Sequence, residues 1–200
     1  MTKRISWDPI SSMESYFTDG IMHITDVEGY DHMLFLLAMC APFTFKEWKP
    51  VAILATAFTV GHSISLALAA LDVIRFSSGL IEFLIPVTIL ATAIFNWRAS
   101  ASGSVSVYGY TSAALFGIIH GMGFSSFFRM ISNEGEGFIG QLFLFNLGVE
   151  AGQVLILTAI LSIIAVFTVA IPSVKQKMPK VLAGLSFLLA LVLAIEKFPG

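Results

Sequence analysis

The chain has 200 residues, 56% hydrophobic and only 12% charged, with a net charge of −2. A soluble domain carries about a quarter charged residues, so a chain with this composition and a mean hydropathy of +0.87 cannot cover its own surface in water and reads as an all-α, polytopic helical membrane protein. The near-neutral balance excludes a broadly basic nucleic-acid surface, and the single cysteine, Cys40, excludes an internal disulfide and any multi-cysteine metal or redox motif.

In chain order, Lys3 and Arg4 precede "ISWDPISSMESYFTDG", which has no continuous apolar core and is not expected to be a signal peptide. Residues 10–25 read as an amphipathic, interfacial segment, with Tyr16, Phe17, Ile21 and Met22 among polar neighbours. About six candidate spans of membrane-crossing length follow. The first, 29–45, is short and has room to extend backward through 20–28. The second is 50–71, opening with Pro50 at a helix start. The third, 79–97, runs into Asn96, Trp97 and Arg98, an interfacial anchor, and the fourth is about 109–130. The fifth lies within 138–171, too long for one upright span, and so is tilted, broken or preceded by an interfacial turn. The sixth is 180–196. Loops 98–109 and 132–137 are rich in small residues and glycine, and residues 1–200 leave room for one integral membrane domain only. Lys46, Lys49, Arg98, Lys175, Lys177 and Lys180 fall on one side, and Arg75, Arg129, Lys197, Lys3 and Arg4 on the other. That excess predicts both termini outside.

Ionisable groups inside spans are costly and mark partners, cavities or pathways. In "ATAFTVGHSISLAL", Thr56, Thr59, His62 and Ser63 form one polar stripe at spacings of three and four. The hydroxyls can bond back to their own helix, but an imidazole has two nitrogens to place. In "FNLGVEAGQ", Asn146, Glu150 and Gln153 share a face, while Gly148 and Gly152 make a GxxxG where a neighbouring helix can approach. A carboxyl at Glu150 must be protonated, paired or bound to a cation. His120 lies between Gly117 and Gly121, a second GxxxG. Asp31 and His32 open the first span; both can border one cavity, or Asp31 can orient a partner from behind. Any one histidine on an apolar face is most simply a hydrogen-bonded core residue. His32, His62 and His120 on three spans, with Asp31 and Glu150, instead make a ligand set for Zn²⁺, Ni²⁺, Co²⁺ and related ions. His23, near Asp26 and Glu28, is either part of an outer site that gathers cations or a solvated loop histidine. Glu82, at the end of the third span, suits either role. One cysteine and scattered methionines argue against a copper(I) path.

Together, "HITDVEGYDHMLFLLA", "AFTVGHSISLALA", "IIHGMGF" and "FNLGVEAGQ" resemble the HupE/UreJ family of small membrane proteins over about residues 21–155, in the family's order. The resemblance implies a helical permease-like protein linked to nickel or cobalt supply, expected in the bacterial inner (cytoplasmic) membrane. In the well-known branch a histidine precedes an Asp–His pair near the first span, which fits His23, Asp31 and His32. That branch also has a second histidine and an acidic residue after its first HG. Here "HGMGF" stands instead, so the chain looks more like a second branch.

Two mechanisms follow. In the first, a divalent cation, the substrate, passes Asp31 and His32, is held by His62, His120 and Glu150, and is released inward. Ser63, Asn146 and Gln153 would support those ligands. No GxxxxGK[ST] loop is present, so movement is passive, ion-coupled or driven by trapping. In the second, the same residues hold a zinc cofactor with an open position for water, making an intramembrane zinc-dependent hydrolase. No HExxH or GxSxG motif supports it. A third reading is a metal-binding accessory subunit of a membrane complex. The expected partners are the metal ion and the lipid bilayer, with a homo-oligomer allowed and nucleic acid not expected.

Overall fold

The computed structural model describes residues 9–27, 29–98, 105–132 and 137–199. Lys3, Arg4, Glu28 and much of the two glycine- and serine-rich loops lie outside them. The described residues form seven α-helices, two short 3-10 turns (Phe45–Glu47 and Pro172–Val174) and no strand: α1 (Pro9–Thr25), α2 (Asp31–Cys40), α3 (Trp48–Ala70), α4 (Ser78–Arg98), α5 (Val107–Ile131), α6 (Phe138–Ala170) and α7 (Met178–Glu196). Five of them, α3 to α7, are long and apolar enough to cross a membrane.

Helix directions follow from the contacts. Gly61 abuts Ala114 and Gly121 abuts His62 and Ser65, so α3 and α5 run parallel. Thr88 meets His120 while Ile81 and Ile85 meet Gly123, so α4 runs antiparallel to α5. Trp97 covers Gly184 and Glu82 pairs with Lys197, which sets α7 antiparallel to α4. The ends of α3, α5 and α7 and the start of α4 therefore share one side of the bundle.

The first span differs from its expected form. Only ten residues of 29–45 are helical as α2, and the segment expected to lie at the interface is a 17-residue helix packed into the bundle. On α1, Tyr16 and Ile24 are buried, and Gly20 meets Gly148 of α6 so closely that a methyl group on either would strike the opposing backbone. The Tyr16 hydroxyl donates to the Ile131 carbonyl, 2.8 Å away at the end of α5. At the other side, Asn96 donates to the Ala38 carbonyl of α2 at 2.7 Å. So α1 enters from the side where α5 ends and α2 leaves at the opposite one. With a rise of 1.5 Å per residue their lengths add to about 40 Å, enough for the roughly 30 Å hydrocarbon core. Together they have the length of one crossing, interrupted between Thr25 and Asp31. α2 is enclosed, with seven buried residues of ten, whereas the break is not: Val27 is 77% and Tyr30 40% exposed. Both described ends of the chain face the same side.

Of the alternatives for 138–171, the structure has a single continuous helix of 33 residues, roughly 50 Å long. The α3 entry is fixed by Glu47, whose carboxylate accepts from both the backbone N–H and the hydroxyl of Thr44, each at 2.6 Å. Beyond α3, Asp72 takes a positive φ of 59°, a conformation that Asp tolerates better than most residues. Its carboxylate receives Arg75 and, at 3.2 Å, Arg129. The hydrogen bond from Arg75 holds that carboxyl below its usual range.

Packing sorts the helices into three sets that touch one another. α3 lies along α5, α1 along α6, and α2, α4 and α7 on one another; α4 touches α5 as extensively as α6 touches α3. The close α3–α5 and α1–α6 contacts are the two glycine pairs anticipated at Gly117/Gly121 and Gly148/Gly152.

Candidate metal centre

The break between α1 and α2 is where the chemistry gathers. His23 lies in the last turn of α1, and Asp31 and His32 in the first turn of α2. His62 and His120 sit near the middles of α3 and α5. One nitrogen from each of His23, His32 and His62 lies within 4.8 Å of the other two. His120 stands beside this trio, its ring centroid 5.0 Å from that of His32. His62 and His120 are 0% and 1% exposed, so no bulk water completes their hydrogen bonding.

The nitrogens divide into engaged and unengaged ones. His32 Nδ1 lies 2.8 Å from Asp31 Oδ1, which fixes the ring and directs Nε2 elsewhere. His120 Nε2 lies 3.0 Å from the Thr88 hydroxyl. Left buried without a partner are Nε2 of His23, Nε2 of His32, both nitrogens of His62 and Nδ1 of His120. Buried polar atoms almost always find partners, and five orphans on four neighbouring rings are what a shared ligand would satisfy. Three imidazoles on one ion at about 2.0–2.1 Å would hold their nitrogens about 3.3 Å apart, so this trio would have to draw together by up to about 1.5 Å from its 4.8 Å spread. Neutral imidazole is a favoured donor for zinc, nickel and cobalt. A carboxylate behind a ligating histidine is the usual support for such a ring, and Asp31 stands in that position.

Aromatic rings wall the centre. Phe124 lies over His23 with centroids 3.7 Å apart, while Phe35 and Phe58 flank His120 at 5.3 and 5.1 Å. These walls exclude water and leave the imidazoles as the main polar groups.

The other sequence candidates fall elsewhere. Glu150 accepts from Thr56 at 2.7 Å and lines a groove of about 310 Å³ between α3 and α6, with Trp48 and Thr158. It does not join the imidazoles. Gln153 accepts from Thr59 at 2.9 Å, one turn along the same seam, and its Nε2 is buried without an acceptor. Asn146 donates to Leu142 of its own helix at 2.8 Å, but unlike the others it borders the centre, its side chain lying against His62. Ser63 turns back onto the Thr59 carbonyl at 2.7 Å. Glu82 pairs with Lys197 at 3.0 Å. Thr88 was not anticipated. A threonine in an apolar helix normally bonds its own backbone, as Thr88 also does to Ile85 at 2.7 Å, and only the fold shows that it faces His120.

No curated protein and no solved structure matches the chain. Residues 2–197 match the family described as HupE / UreJ protein, which is essentially the whole length and spans all seven helices around the histidine centre. The chain belongs to the HupE/UreJ family of helical membrane proteins.

Proposed function

We propose that this protein moves a divalent transition-metal cation, nickel or cobalt ahead of zinc, across the membrane by way of the histidine centre. The observation that carries this reading is the set of five buried imidazole nitrogens without hydrogen-bond partners. Histidines serving only as structural glue between helices would satisfy one another or the backbone. Orphaned donors converging at a helix break suit an ion that sheds its water and takes protein ligands instead. His23, His32 and His62 supply the first three ligands, His120 is the fourth within reach, and Asp31 holds His32. Membership of a family linked to nickel and cobalt supply supports the same substrate class. The lysines and arginine at positions 46, 49, 98, 175, 177 and 180 favour termini outside and release toward the opposite side.

The hydrolase alternative needs a carboxylate free to act as base beside the metal. Asp31 is engaged by His32 and Glu150 lies in a separate groove, so the arrangement favours transport.

The test is elemental analysis of the purified protein alongside cation flux into liposomes. The expected result is one divalent ion per histidine centre, with both binding and flux lost in His62→Ala. A metal-free wild type whose uptake is unchanged by His62→Ala would sink the proposal. Tightly held zinc with no flux would favour the enzyme.

A further inference from the structure

On the side where both chain ends lie, a cavity of about 460 Å³ opens between the end of α3, the start of α4 and the last two turns of α5. Its wall is polar: Asp72, Arg75, Glu82, Ser126 and Arg129 all line it. In an otherwise apolar chain this is a pocket that water can fill. Both carboxylates on the wall are tied, Asp72 to Arg75 and Arg129, and Glu82 to Lys197. The wall therefore presents no free acid in this conformation, and a cation entering it competes with Arg75, Arg129 and Lys197 for the two carboxylates.

The floor of the cavity is apolar and thin. Gly123 on α5 faces Ile81 and Ile85 on α4, and a Cβ at Gly123 would stand 2.9 Å from Ile85 Cδ1 and 3.5 Å from Ile81 Cγ2. Directly beneath, Thr88 donates its hydroxyl to the Ile85 carbonyl and reaches His120 Nε2. His120 is three residues from Gly123 and Thr88 three from Ile85, so one helical turn, about 5 Å, separates the cavity from the first imidazole. Two flexible isoleucine tips against a bare glycine are a closure that small side-chain motions can open.

We propose that this vestibule is the aqueous approach to the histidine centre for a hydrated divalent cation, with Ile81 and Ile85 against Gly123 as its inner gate. The proposal rests on reading the histidines as a cation centre, and it adds a side, a route and a gate to that reading.

Thiol accessibility tests it. In a Cys40→Ala background, which removes the buried native thiol, Ser126→Cys reports on the vestibule and Thr88→Cys on the space below the gate. A membrane-impermeant thiol reagent is applied to sealed vesicles of each orientation. Ser126→Cys is expected to react only from the side that exposes the C-terminus, and Thr88→Cys to stay protected. Adding Ile85→Ala should speed reaction of Thr88→Cys by about tenfold or more, the response to a barrier lowered by about 1.4 kcal/mol. Ile85→Val, a milder change, should give a smaller increase in the same direction, and covers the case in which Ile85→Ala does not fold. Ser126→Cys inert from both sides, or Thr88→Cys equally reactive with Ile85 intact, would overturn the proposal.

Metal flux is measured on the same vesicles. The expected labelling in a chain that moves no metal would overturn transport and leave the approach standing. Flux together with an inert Ser126→Cys would overturn the vestibule alone.

Discussion

Asp31→Asn is the sharpest probe of how the centre is built. The carboxylate lies 2.8 Å from His32 Nδ1 and also accepts the His32 backbone N–H at 2.7 Å. Its hydrogen bonds go to His32, with His120 near enough to feel its charge, and its work is to hold one ring in one tautomer. Asparagine keeps the shape and an acceptor oxygen but loses the charge, and hydrogen bonds to an ionised partner are roughly twice as strong as neutral ones. If the amide turns its NH₂ group to the ring, Nδ1 must become the acceptor and the proton moves to Nε2, the nitrogen that faces the centre. Loss of such a supporting carboxylate costs about 10–100-fold in metal affinity, or about 1.4–2.8 kcal/mol. The measurement is competition between the purified protein and a chelator of known strength, with His32→Ala as reference. Asp31→Asn should weaken binding within that range while His32→Ala removes it. Unchanged affinity would refute the orienting role. A loss as complete as that of His32→Ala would make Asp31 a direct ligand and refute the assignment from the other direction.

Two further outcomes follow from packing. Gly117→Ala should destabilise the protein, because the new methyl group would collide with the Phe58 carbonyl and force α3 from α5. Alanine gains about 1 kcal/mol of helix propensity, against an overpacking cost at the upper end of about 1–3 kcal/mol. The net loss of about 2 kcal/mol should lower Tm by about 4–8 °C. Gly140→Ala, where nothing lies within 4 Å, should hold or raise it, and equal melting of the two variants would undo the argument. Glu150→Gln should leave metal binding at the histidines within about twofold of wild type, as expected of a change away from the centre. Titration in detergent measures it, and loss of the bound ion would return Glu150 to the ligand set.

Much of this architecture was legible from apolar runs alone. The boundaries of α3, α4, α5 and α7 fall within a few residues of those expected, because long apolar segments ending in polar or aromatic anchors have few other solutions. The first crossing was not legible. Polar residues such as Ser15 and Asp19 make 10–25 read as an interfacial segment, and hydropathy has no signal for a polar helix held by close packing on its neighbour. For the same reason His23 looked peripheral, whereas packing of α1 on α6 buries it beside His32 and His62. Glu150 is turned aside by its angle. Asn146 and Gln153 are seven residues apart and diverge by only about 20° around the helix, but Glu150 sits about 40–60° off that line. This is enough to turn it into the α3–α6 groove while its neighbours stay buried. The four histidines were legible as a constellation because an imidazole inside a span needs a reason, and their convergence does not depend on fine angles.

The placement of the imidazoles on separate helix sets has a mechanical consequence. His32, Asp31 and Thr88 lie on the set of α2, α4 and α7, His23 lies on α1 against α6, and His62 and His120 lie on the α3–α5 pair. An ion shared by His23, His32 and His62 would be a clasp across all three sets. Whatever drew them apart would loosen the ion, and by thermodynamic reciprocity the ion would resist that separation by the same free energy. The floor of the vestibule spans one of the same seams, with Ile81 and Ile85 on α4 and Gly123 on α5, so a shift of α4 against α5 would act on the passage and on the clasp together.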